Sequence, residues 1–215
     1  MRLQHISVVA GISVLYGAVG FGNFLLTPEE RYVDVQTWID ALIPFQAAFA
    51  WPYLFYYVLL GVPLVLVPRA DELRVLWKRV AWASAISALV FIAFPTHPLR
   101  LANVEELPGL APWIIAMIYK IDPPANCFPS LHVLHSFLIA ASYHRIPRYR
   151  AFGVAFYLMA VGVALATVFI KQHYAADVIA GLFLVPVVCY LAELTPESLR
   201  RSKKLVAGIT GRREF

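Results

Sequence analysis

Apolar residues in this chain gather into long blocks separated by short polar stretches, and six blocks stand out. They cover residues 6–26, 48–67, 79–95, 130–146, 150–170 and 176–194. A helix needs about 20 apolar residues to cross roughly 30 Å of hydrocarbon, and these blocks run close to that length. The pattern predicts an all-α integral membrane protein, a six-transmembrane-helix bundle forming a single membrane domain over 1–215. Between the first two blocks, residues 27–47 mix Glu29, Glu30, Asp34 and Asp40 with Tyr32, Val35, Trp38 and Ile39. That mixture predicts an interfacial helix resting its apolar face at the headgroup boundary. The longest loop, 96–129, carries Leu110, Trp113, Ile114, Met117 and Ile118 at helical spacing, with Pro112 at the start and Pro123 and Pro124 as breakers. A loop of that length beside a site frames it.

Composition agrees. The 215 residues are 60% hydrophobic and 14% charged, with a mean hydropathy of +0.69. That balance excludes an ordinary soluble domain. The first block is longer than a signal-peptide core and lacks a clear small-x-small cleavage site before Asn23, so it reads as a retained span.

The net charge of +5 raises nucleic acid as a partner, but its distribution removes that reading. Of the 18 Lys and Arg residues, 14 fall at the chain start, around 69–79, around 145–150 and in a basic tail at 195–215. The positive-inside rule then puts both termini in the cytoplasm. Trp77, Lys78 and Arg79 read as an anchor at that face. The expected location is a bacterial inner membrane, with the site facing the periplasm or exterior. Cys127 and Cys189 fall at opposite ends of this topology, which argues against a disulfide.

Only Arg31, Arg100, Lys120 and Lys171 lie on the outer side, and the last three flank two histidine motifs. Pro129-Ser130-Leu131-His132 opens the fourth block; Lys171-Gln172-His173-Tyr174-Ala175-Ala176-Asp177 opens the last. Proline and serine suit a helix start, whose free N–H groups and dipole attract anions. His173 and Asp177, four apart, share a helix face, so the carboxylate can fix the imidazole tautomer and leave the other nitrogen to attack. Ionisable groups at a membrane boundary are expensive and point to function. Phosphoryl transfer to a lipid is the chemistry that fits, with Arg100 and Lys171 as the cations.

The Pro-Ser-x-His motif, followed 41 residues later by His-x-x-x-Asp at the head of the last block, resembles the type-2 phosphatidic acid phosphatase superfamily. The resemblance implies His173 as nucleophile through a phosphohistidine, Asp177 as its orienting group and His132 as general acid. Ser130 and the basic residues Arg100 and Lys171 would hold phosphate, and neither metal nor other cofactor is implied. The family's first-motif lysine is absent, Ala93 standing there. Ala166 and Thr167 replace its Ser-Arg, leaving Lys171 as the substitute cation. Leu131 in place of the motif's glycine, with Lys171-Gln172-His173-Tyr174, resembles the inositol phosphorylceramide synthase and sphingomyelin synthase-like branch, which moves a phospho-headgroup between lipids.

Three readings follow: a lipid phosphate phosphatase, a lipid headgroup phosphotransferase, and a non-catalytic transporter or binder. A transporter would show interrupted helices near the midplane, whereas the polar residues here collect at one face. His5, His97, His135 and His144 read as structural. The metal-protease pattern His-Glu-x-x-His is absent from the sequence, which makes zinc the weaker idea.

Overall fold

The computed structural model describes residues 11, 14, 17–66, 69–98, 100–122 and 124–194. The start of the first block with His5, the prolines at 68 and 123, and the basic tail lie outside these residues. Those described form helices α1 (Gly17–Leu26), α2 (Trp38–Leu42), α3 (Ala50–Tyr53), α4 (Phe55–Val65), α5 (Ala70–Ala93), α6 (Leu110–Ile121), α7 (Leu131–His144), α8 (Arg150–Phe169) and α9 (Ala175–Glu193).

Among the described residues, four helical stretches are long and apolar enough to cross a membrane: Ala47–Val65, Asp71–Ala93, Pro147–Phe169 and Ala175–Glu193. The block predicted at 130–146 differs. Its helix, α7, has 14 residues, about 21 Å at 1.5 Å per residue, short of the hydrocarbon thickness. It is nonetheless the centre of the molecule. α4, α5, α8 and α9 all pack on α7, and nearly every residue from Leu131 to Tyr143 is buried. A helix apolar or small on all sides belongs inside a bundle.

The surrounding helices are inverted relative to a water-soluble protein. Leu89, Leu158, Phe183 and Tyr190 are exposed on their outer faces, while His132, His135, Ser136 and Ser142 are buried on α7. Apolar exterior and polar interior is the arrangement a lipid solvent selects. Association in that solvent depends on close packing and small residues. Gly153 shows how close: a Cβ there would lie 2.4 Å from the His144 Cα, so α7 and α8 could not meet as they do. Gly181 on α9 similarly faces the Ser130 carbonyl, 2.9 Å from where its Cβ would be.

The segment between α6 and α7 dives inward. Ala125, Asn126, Cys127 and Ser130 are buried, so irregular backbone fills the space that a longer α7 would occupy. Non-helical backbone at such depth is tolerated where protein surrounds it. At the far end of the bundle, Arg79 is 2% exposed and turns inward, rather than outward as the anchor reading expects. It donates to Ser142 Oγ at 2.7 Å and to Glu193 Oε1 at 2.9 Å.

The interfacial helix predicted within 27–47 is the five-residue α2. Its Trp38 and Leu42 are 75% and 70% exposed, and its Asp40 is buried. The Asp40 carboxylate accepts from the Thr37 N–H and hydroxyl, both at 2.7 Å, which starts the helix.

Candidate active site

α7 and α9 begin side by side. The Ser130 N–H donates to the Asp177 carbonyl at 3.0 Å, and the small Gly181 lets the two starts touch. Ser130 caps α7, its Oγ accepting from the Val133 N–H at 3.4 Å. Asp177, three residues into α9's cap, accepts the Tyr174 N–H at 3.0 Å. Its carboxylate therefore sits at the positive end of the helix.

This places His132, the second residue of α7, against the residues preceding α9. His173 Nε2 lies 3.2 Å from His132 Nδ1. His173 Nδ1 lies 3.1 Å from Asp177 Oδ2, and the Tyr53 hydroxyl lies 2.7 Å from His132 Nε2. All four side chains are buried. With both imidazoles neutral, the proton directions are fixed by the end of the chain. An ionised carboxylate only accepts, so His173 Nδ1 donates to it. His173 Nε2 is then the lone-pair nitrogen and must receive the His132 Nδ1–H. His132 Nε2 is left as acceptor for the Tyr53 hydroxyl. Every proton points toward Asp177.

The two predicted cations are held elsewhere. Arg100 donates to the Tyr119 and Asp122 carbonyls at 2.9 and 2.7 Å, and its guanidinium lies over the Tyr119 ring at 4.6 Å. It thus closes the C-terminal end of α6, where orphan carbonyls and the dipole favour a cation. Lys171, at φ 58°, donates to the Asp40 carbonyl at 3.3 Å and to that of Ile43. Lys171 also shares a small cavity with His173, Tyr174, Asp40 and Gln36.

Asp40, Tyr53, Asp122 and Gln172 were not singled out by their sequence. Asp122 Oδ2 lies 4.0 Å from His132 Nε2 and accepts from Gln172 Nε2. His135, one turn below His132, contacts Ser84 Oγ at 3.2 Å and Tyr56 Oη at 3.5 Å. His97 is exposed and rests edge-on against Tyr32.

Cys127, His173 and Asp177 offer donor atoms within 4.8 Å of one another, a set that could hold a metal ion. Burial, and then the Asp177 and Asp122 carboxylates, push the Cys127 thiol well above its ordinary value. It is therefore a neutral thiol and no rival nucleophile. Burial likewise pushes the Tyr119 phenol up to about 12, keeping it a donor to the Ile170 carbonyl.

The sequence profile of the PAP2 superfamily matches residues 30–191, which includes every residue of this cluster. The chain belongs to the PAP2 superfamily. No curated protein and no solved structure gives a significant match. PAP2 members are generally phosphatases or related phosphotransferases. Membership therefore places this chain among phosphoryl-transfer proteins, and the four apolar helices suggest a bilayer and a lipid-type substrate.

Proposed function

We propose that the chain is a membrane lipid phosphate phosphatase working through a phosphohistidine, without a metal ion. The observation that carries this is the directed chain Tyr53–His132–His173–Asp177, which leaves a lone pair on His173 Nε2. His173 Nε2 attacks phosphorus while the bond to the lipid oxygen breaks. For this step neutral His132 first gains a proton, which the entering phosphate monoester brings as its monoanion, and then gives it to that oxygen. His132, now neutral, accepts a proton from the water that hydrolyses the phosphohistidine and is ready for another turnover. Asp177 holds the tautomer and balances the charge that His173 gains. Ser130, Arg100 and Lys171 would bind the phosphate oxygens. For Lys171 this needs only a turn away from α2, because it already lines the cavity beside His173.

The same reading has six spans, both termini in the cytoplasm and the His173 end facing the periplasm or exterior, in a single membrane domain of a bacterial inner membrane. The positive charges support that orientation. The short central α7 supports a site slightly below the surface, where a headgroup can reach it from the bilayer.

Leu131 and the Lys171-Gln172-His173-Tyr174 sequence support a second reading, transfer of the phospho-headgroup to another lipid alcohol. Both begin from one phosphohistidine. Purified protein in detergent and chelator, given phosphorylated lipids with and without a lipid alcohol, separates them. Phosphate release by wild type, with a loss of about 10⁴-fold or more in His173→Ala, is the expected result. A new phospholipid formed instead of free phosphate would establish the transferase. Undiminished turnover by His173→Ala would overturn both.

A further inference from the structure

The carboxylate of Asp40 sits 135 residues from the turn that carries His173, yet it is built into that turn. While Oδ2 caps its own helix through Thr37, Oδ1 accepts the Ala175 N–H at 2.7 Å. Lys171 donates back to the Asp40 and Ile43 carbonyls. The Gln46 N–H donates to the Phe169 carbonyl at 3.0 Å. Segment 37–46 therefore grips residues 169–175 at three places.

The consequence lies in how the first N–H groups of α9 are shared. Asp177 takes that of Tyr174, and Asp40 takes that of Ala175. A helix start draws nearby carboxylates toward its unpaired donors. Without Asp40, the Ala175 N–H loses this partner. Asp177, two residues on in the same helix start, carries an Oδ1 that is buried with no hydrogen-bond partner among the described residues. A swing of Asp177 toward that donor would weaken its hold on His173 Nδ1 and release the tautomer. We infer that Asp40 is a positioning residue for the reaction: it occupies the Ala175 N–H so that Asp177 stays on His173. This inference rests on the reading of His173 as nucleophile.

The test compares wild type, Asp40→Ala, Asp40→Asn and His173→Ala in detergent. The probes are para-nitrophenyl phosphate and phosphatidate in mixed micelles, read as kcat and KM, with the folded fraction of each variant measured by circular dichroism and size exclusion. In Asp40→Ala, kcat should fall by about 100-fold on both probes with KM shifted less than about threefold, the pattern of a misplaced reacting group. The folded fraction should stay at its wild-type value. Asp40→Asn keeps one carbonyl acceptor for Ala175 and should recover about 10-fold of the loss, which also decides the matter if the alanine variant does not fold. Wild-type kcat in either foldable variant, with His173→Ala silent, would overturn the inference alone. A kcat loss matched by an equal loss of folded fraction would also overturn it, since only the amount of native protein would have changed. A loss confined to phosphatidate would assign α2 to micelle docking instead. Activity in His173→Ala would remove the nucleophile reading itself.

Discussion

The two ends of the bundle each bury polar side chains around α7, and they solve that problem in opposite ways. At the Arg79 end, full charges are paired: Arg79 and Arg145 both donate to Glu193, which is 48% exposed. At the His173 end, two imidazoles and a phenol are chained to one carboxylate, with bonds of 2.7 to 3.2 Å between buried atoms. The first arrangement compensates a charge that is always present. The second links groups that pass hydrogen bonds from one to the next toward a single acceptor. Buried charge can serve either structure or chemistry, and the difference lies in whether its protons are fixed.

The sharpest way to break this comparison is at the end of the chain. Asp177→Asn puts an amide where only an acceptor works, so His173 can flip its tautomer. A kcat loss of about 10⁴-fold is expected by analogy with orienting aspartates in catalytic triads. A pH–rate profile and trapped phosphoenzyme would check it, and a loss under tenfold would mean that the tautomer is set by something else. Tyr53→Phe tests the opposite end. It removes the donor at His132 Nε2 while keeping the ring, and should lower kcat by about 10-fold with the fold intact. An unchanged rate would show that His132 needs no partner there. The smallest effect belongs to the far end. Glu193→Gln should leave kcat unchanged and lower stability by about 1 kcal/mol or less, since the pair is half exposed on one side and Arg79 keeps Ser142. Thermal unfolding in detergent measures that. A rate change would show that the ends are coupled through α7.

The comparison also shows what the linear sequence could reveal. Ser130, His132, His173 and Asp177 were legible because their spacing places each pair on a helix start, where proline, a cap and an i,i+4 carboxylate leave a local mark. Asp40 was half legible. Its Thr37-x-x-Asp40 spacing announces a cap on its own helix, but the bond to Ala175 spans the chain and leaves no local pattern. Tyr53 was hidden among Trp51, Phe55, Tyr56 and Tyr57, where an aromatic belt explains every ring equally well. The cations Arg100 and Lys171 were visible as charges, yet their partners are backbone carbonyls, which any residue supplies. Arg79 misled for a similar reason. A basic residue near a span end usually snorkels, and only the placement of Glu193 and Ser142 explains why this one turns inward. The block at 130–146 looked like a full span because its composition is mostly apolar, while the folded helix covers only Leu131–His144.

One consequence follows from the 3.2 Å contact between His132 and His173. When the pocket is empty, the two rings complete each other and the attacking lone pair is already engaged. A phosphoryl group must enter between those nitrogens, so it competes with a bond made inside the protein before any chemistry begins. The resting enzyme is thereby its own first competitor. On the proposed reading, small anions too weak to part the rings would be turned away, and a headgroup would be admitted in proportion to how firmly the rest of the lipid holds it in place.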